Sequence, residues 1–295
     1  MKLIILSKKE EEFQMNIKIT SDSTCDLSAA LIRQYDIGIV PLIVVKDGKH
    51  YHDGVDIVPG DIFAHVDAGG SLCSTAAVNM EEYRDVFAPY AEKYDAVVHI
   101  NIGSGFSSCY QNACLAAENF NNVYVIDSQN LSTGQGHVVL EACRMAEECT
   151  DIEAMCQQLR ELTTRVEASF LLSRLDYMVK GGRCSAVSAL GANLLKLRPC
   201  IEVRDGKMRV CKKYRGNFDK CFAEYTRDRL GNRDDIIRDR LFITYTPVSD
   251  EVLSAVKSAV GECEPFQQVY QTTAGCTVSC HCGPGTLGVL FIRNK

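Results

Sequence analysis

Between Ala96 and Asp127 the sequence runs from an apolar stretch, AVVHINI, through Gly103-Ser104-Gly105 into a helical pattern. It then returns to a second apolar stretch, VYVI, that ends on Asp127. A strand, a turn, a helix and a further strand in so short a span imply a parallel crossover with a helix on the face of the sheet. The alternation continues on both sides. Upstream are a strand over 17–20, a helix through Tyr35 that Asp26 can cap, a hairpin turning at Asp47-Gly48, and helices in PGDIFAHV and from Met80 to Lys93. This unit itself is a strand over 96–102, a helix over 107–120 and a strand over 123–126, and helices near 131–149 and 151–165 follow it.

The pattern changes near residue 166. EASFLLS is a short strand, RLDYMVKGGR a helix stopped by Gly181-Gly182, and SAVSALGANLLK a helix opened by Ser185. A hairpin turns at Asp205-Gly206, and a helix over 217–231, a strand over 241–245, a helix over 249–260 and strands over 266–271 and 286–292 complete the chain. The expectation is an α/β protein of two α/β domains. Residues 15–165 form the first, with a mostly parallel Rossmann-like sheet, and residues 166–295 the second, with a mixed sheet. Residues 1–14 end in the charged run SKKEEEFQ and read as a disordered tail before a start at Met15.

Composition narrows the function classes. A net charge of −6 disfavours nonspecific binding to nucleic acid, and no apolar run reaches membrane-spanning length. The opening MKLIILSKK lacks the cleavage pattern of a signal peptide. The 15 cysteines are odd in number and lie in apolar segments, which suits reduced, buried thiols and a cytoplasmic location. CTVSCHC invites a zinc reading, but Cys280, His281 and Cys282 are consecutive and no C-x₂-C pair accompanies them, so no metal site is assigned.

Three chemistries compete for the hydroxyl-rich mouth GSGFSS. A dinucleotide would use Gly103-Ser-Gly105 with Asp127 on the ribose, but Ser108 stands where the third glycine belongs. A nucleophilic serine needs glycines two residues to either side, and Ser104 has them immediately adjacent. A bound carboxylate asks least. The helix start offers unpaired N–H groups, Ser104, Ser107 and Ser108 add donors, and Gly105 lets an anion approach the backbone. Simple helix capping by Ser104 or Ser107 stays open as well.

Taken together, ITSDSTCDL, VPLIVVKDGKHYHDGVDI, STAAVNMEEY, GSGFSSCYQNA, RLDYMVKGGRCS, LLKLRPCIEVRDGKMRV and HCGPGTLGV resemble, in order, the landmarks of the DegV family of fatty-acid-binding proteins. The resemblance covers residues 16 to 292. It implies two α/β domains holding a long-chain fatty acid, with the carboxylate against Thr75 and Ser107 and His281 near the head group. It implies a lipid-binding protein with no catalytic residue and no cofactor beyond that ligand. Some members are the non-catalytic subunit of a fatty acid kinase and present the carboxylate to an ATP-dependent partner. Where many members have Ser-Gln-Pro after the threonine, this chain has Ala76-Ala77-Val78, which bears on loop shape and chain selectivity.

No G-x-x-x-x-G-K-[ST] for ATP is present. Between Lys196 and Arg215, however, eight basic residues face only Glu202 and Asp205. Such a run is a solvated hairpin face or a docking surface for an acidic kinase partner, with Lys213 and Arg215 as candidates.

Overall fold

Burial decides how the strands of the first half are arranged. The computed structural model describes residues 14–188 and 197–294. Its first half carries β1 (Ile17–Asp22), β2 (Gly38–Val40), β3 (Ile43–Lys46), β4 (Lys49–His52), β5 (Ser74–Ala76), β6 (Ala96–Asn101) and β7 (Val123–Asp127). Every residue of β6 is buried, as expected of a strand covered on both faces. It lies inside a parallel sheet of order β2-β1-β6-β7, while β3, β4 and β5 make a small antiparallel sheet of order β4-β3-β5.

The helices of this half are α1 (Ala29–Gln34), α2 (Pro59–Asp67), α3 (Met80–Lys93), α4 (Cys109–Ala117), α5 (Thr133–Ala146) and α6 (Ile152–Thr163). Asn79 and Glu82 close α3 with a reciprocal capping box, and Pro59 opens α2. One expected cap is corrected. Ser28, not Asp26, caps α1 by accepting from the Leu31 N–H, and Asp26 sits in a left-handed conformation with its carboxylate turned elsewhere.

The second half carries β8 (Val166–Leu171), β9 (Leu197–Arg204), β10 (Lys207–Arg215), β11 (Arg240–Tyr245), β12 (Gln268–Thr273) and β13 (Leu287–Ile292) in one mixed sheet of order β10-β9-β8-β13-β11-β12. Its helices are α7 (Asp176–Gly181), α8 (Ser185–Ser188), α9 (Phe218–Leu230), α10 (Asp250–Gly261) and α11 (Cys276–Cys282). The last, over CTVSCHC, was not expected from the sequence. The helix expected from Ser185 falls beyond residue 188 outside the described residues, as does the expected tail apart from Gln14.

The parallel sheet ends at Asp127 and the mixed sheet starts at Val166, yet a single apolar core joins Ile19, Val98 and Ile126 to Ile201, Val203 and Phe242. Helix α5 makes this possible. It packs on β1 and β6 on one side and on β8 and β13 on the other, so it is buried from Thr133 to Leu140. Its polar side chains find partners in both sheets. Gln135 donates to Ser21 Oγ at 2.9 Å and Asp22 Oδ1 at 3.0 Å, His137 Nε2 donates to the Leu290 carbonyl at 3.0 Å, and Thr133 and Thr244 hydroxyls bond at 2.6 Å. Pairing of this kind offsets the cost of burying polar groups.

Gly136 sets how closely α5 can approach. A Cβ there would lie 2.8 Å from the Cys25 carbonyl oxygen and 2.9 Å from Leu27 Cδ2. Alanine improves intrinsic helix propensity by about 1 kcal/mol. Overpacking against a backbone atom costs about 1–3 kcal/mol. The clash wins, so Gly136→Ala should lower the melting temperature of the purified protein; a higher one would show that α5 shifts freely.

Candidate functional site

Helix α11 has seven residues, too few to persist without tertiary support. Its start is held by carboxylates from the first half of the chain. Asp53 accepts from the Cys276 N–H at 2.8 Å and the Thr277 N–H at 2.9 Å, and Asp26 accepts from the Gly275 N–H at 2.8 Å. Both acids are buried and themselves tied down, Asp53 by Ser23 Oγ at 3.1 Å and Asp26 by Ser132 Oγ at 2.5 Å. Carboxyl oxygens at the start of a helix satisfy N–H groups that here water cannot reach. The helical spacing then puts Thr277 with His281, and Val278 with Cys282, on one face.

That face lines a cavity of about 110 Å³ shared with Thr75 and Ala76 of β5, Ala77, Ser107 and Ser108 at the mouth of α4, Arg183, and Met208 of β10. The remaining walls are apolar: Leu42, Ile102, Phe106 and Leu131. Thr75 Oγ1 lies 2.8 Å from His281 Nε2. His281 Nδ1 is buried and has no partner among the described residues. A bare lone pair costs less there than an orphaned N–H, so the ring proton sits on Nε2 and is donated to Thr75. Burial, with the nearby Arg183 charge, pulls His281 down to about 4, so the ring is neutral at pH 7. Thr75 therefore keeps its own hydroxyl proton to donate. Ser107 does likewise, since its oxygen accepts from the Cys109 N–H at 3.2 Å. The Thr277 hydroxyl is buried and has no partner.

A second, smaller cavity of about 30 Å³ continues inward between α11 and the mixed sheet. It shares Leu131, Val278 and Cys282 with the first and is walled by Ala168, Phe170, Val203 and Leu290. The arrangement is a donor-rich mouth leading to an apolar interior. No carboxylate belongs to the lining of either cavity among the described residues, so nothing in the walls repels an anion.

The structure thus brings Thr75, Ser107, Ser108 and His281 together and leaves Ser104 and Gly105 out. The Ser104 hydroxyl and N–H donate to the Asp127 carboxylate at 2.5 and 3.1 Å, and Asp127 also accepts from the Gln129 N–H at 2.8 Å. Asp127 is a loop fastener, which removes the ribose partner that the dinucleotide reading needs. Gly105 is required because the Gly206 carbonyl approaches where a side chain would stand, not because an anion does. Among the described residues no group of three or more His, Cys, Asp or Glu is placed to hold a metal, and no helix is long and apolar enough to cross a membrane.

Sequence reasoning missed Thr277 and Arg183. The signal for Thr277 was the four-residue step to His281, visible once CTVSCHC is read as helix rather than strand. Lys213 and Arg215 are exposed on β10, an edge strand, and have no ion pair among the described residues. Other members of the basic run are engaged. Lys212 pairs with Asp228, Arg209 with Asp205 at 3.1 Å, and Arg198 lies over the Phe218 ring at 4.9 Å. Lys196 lies outside the described residues.

Comparison with known proteins converges on one group. A family model described as "Uncharacterised protein, DegV family" matches residues 16–294. A DegV domain-containing protein of Clostridium acetobutylicum is 33% identical over 279 residues, spanning 94% of this chain and 98% of the relative. The structure of a DegV family protein from Thermus thermophilus, described for its fatty acid binding, superposes with a TM-score of 0.86 at 28% identity, over 95% of this chain and 100% of that one. A stearic-acid-binding protein of Eubacterium ventriosum superposes with a TM-score of 0.80 at 28% identity, over 94% and 98%.

The acids that hold α11 give stability a pH signature. Burial pushes Asp26 from the usual 3.8 up to about 8; hydrogen bonds from Ser132 and Gly275 oppose the rise, and the charges of Asp53 and Asp22 add to it. The folded chain holds this proton more tightly than the unfolded one, so the contribution is complete below about 3.8 and is lost as pH rises to about 8. Denaturant unfolding should show Asp26→Asn, which mimics the protonated acid, gaining on wild type as pH rises from 5 to 8. A constant difference over that range would show that Asp26 is ionised throughout.

Proposed function

The chain belongs to the DegV family, and from that premise we propose that it binds a long-chain fatty acid and presents the carboxylate to an ATP-dependent partner kinase. The observation that carries the binding reading is the pairing of Thr75 with a neutral His281 at the donor-rich end of an apolar channel. The carboxylate accepts hydrogen bonds from the hydroxyls of Thr75, Ser107 and Thr277, and Ser108 lies beside them. Burial of the tail contributes about 0.8 kcal/mol per CH₂ and dominates affinity, while the hydroxyls fix which end faces out. The structures of the Thermus and Eubacterium relatives support this reading through their own described ligands.

A head group held by neutral donors keeps an ionised oxygen free to attack. In the proposed partner reaction that oxygen displaces ADP from the terminal phosphoryl of ATP, forming an acyl phosphate. Arg183, the one cation among the described lining residues, offers a counter-charge at the mouth. Lys213 and Arg215 support a docking role by position. Lys212 and Tyr214 bond Asp228 of α9, so alternation puts Lys213 and Arg215 on the opposite face of the sheet. That is the face on which Met208 reaches the cavity. The location proposed for this exchange is the cytoplasm, where cysteine thiols stay reduced.

Denaturing extraction of purified protein, followed by mass spectrometry, should release a long-chain fatty acid; recovery of a nucleotide cofactor and no lipid would overturn the reading. Thr75→Ala and Ser107→Ala should each weaken fatty acid binding by about 1–3 kcal/mol, the scale for a charged group left short of a hydrogen bond. Equal affinity in both variants would move the head group elsewhere.

Reversing Lys213 and Arg215 to glutamate should leave lipid affinity unchanged. It should slow acyl phosphate formation by the partner, with the loss shrinking at high salt. Wild-type rates in the double variant would assign docking to another face.

A further inference from the structure

Of the fifteen cysteines, Cys211 alone is exposed. It occupies an irregularity in the β9–β10 hairpin. The register passes from Val210 opposite Ile201 to Lys212 opposite Cys200, so Cys211 and Lys212 together face Cys200. Val210 and Ile201 point into the core shared with the first half, and Cys200 points to the α9 side among Tyr214, Phe222 and Tyr225. Alternation from Val210 puts Cys211 on that same side.

The two thiols are hydrogen-bonded to each other, and Cys211 Sγ lies 3.5 Å from the Cys200 carbonyl oxygen. Cross-strand neighbours stand about 4.5–5.5 Å apart at Cα, within the span of about 4.4–6.8 Å that a disulfide bridges. The Arg229 guanidinium lies close enough to favour the thiolate at both sulfurs. The hydrogen bond from Cys200, helped by Arg229, holds the Cys211 thiol below its usual range, and the same contact, with burial, pushes Cys200 up. One sulfur is exposed and prone to ionise; its neighbour is buried and protonated.

The geometry points to Cys211 and Cys200 as a peroxide-responsive dithiol site. The Cys211 thiolate attacks one oxygen of a hydroperoxide and the O–O bond breaks. Cys211 becomes a sulfenic acid, and hydroxide or alkoxide leaves with the electron pair. Cys200 then attacks the Cys211 sulfur, its proton and the displaced hydroxyl leave as water, and an S–S bond closes. Two sulfur electrons have passed to the peroxide. The product staples the hairpin whose opposite face carries Val203 and Met208 to the two cavities.

The test uses the reduced full-length protein and hydrogen peroxide, with remaining thiols blocked before mass analysis. The expected product takes up two fewer blocking groups than the reduced protein treated in the same way and yields one cross-linked peptide pair joining Cys200 to Cys211. Cys211→Ser should abolish the loss, and Cys200→Ser should leave a sulfenic acid at residue 211 that dimedone traps. Before oxidation, Cys211 should react with iodoacetamide at least about tenfold faster than the partly buried Cys114 and Cys263. Cross-links between other cysteines, direct conversion of Cys211 to sulfinic acid without a cross-link, or equal reactivity of the three thiols would each overturn the assignment.

Discussion

Two buried carboxylates fix the candidate site. Asp26 and Asp53 belong to loops near the start of the chain, and they accept the N–H groups of Gly275, Cys276 and Thr277 near its end. Without them α11 would begin with orphaned donors in a dry interior, a cost of about 1–3 kcal/mol for each group. The helix brings Thr277, Val278, His281 and Cys282 to the cavity, so the mouth and part of the inner wall follow from this one connection. Its long reach in sequence also explains why the apolar core runs unbroken between the two sheets.

Under the proposed function, the donor-rich end of the cavity would hold a carboxylate almost without cations. Neutral His281 spends its proton on Thr75, Ser107 spends its lone pair on a backbone N–H, and each hydroxyl is left with a donor. A buried ion pair would hold an anion more firmly but would lose desolvation energy on both partners. Hydroxyl donors avoid most of that cost and leave charge on the ligand oxygen.

The parallel unit between Ala96 and Asp127 was legible because β6 is mostly apolar and Gly103 follows its end. The Asp205-Gly206 hairpin was legible because turn chemistry is local, and both residues adopt the positive φ that such turns require. Thr75, Ser107 and His281 came from family resemblance, and the structure places them around one cavity without testing their roles. What could not be read was the part set by distance along the chain. Asp26 looks like a helix cap because its immediate context is that of one, and its true partners, Ser132 and Gly275, are 106 and 249 residues away. Seven residues give α11 no periodicity strong enough to overrule a strand-like composition. Ser104 and Gly105 were misleading for a related reason. Their partners are Asp127, at the end of β7, and Gly206, in the β9–β10 turn, and the local sequence does not show that these contacts fasten the backbone rather than bind a ligand.

The shared position of α5 constrains how a ligand can enter and leave. Many two-sheet proteins open by a hinge, each half swinging as a rigid body away from the other. Here that motion would tear Gln135 from Ser21 and Asp22, and His137 from Leu290, and would wet a helix buried over most of its length. The energetic barrier to such swinging is that of partial unfolding. Exchange of a long apolar guest therefore has to proceed by small rearrangements at the mouth, around β5 and the β9–β10 hairpin, with the body of the protein standing still.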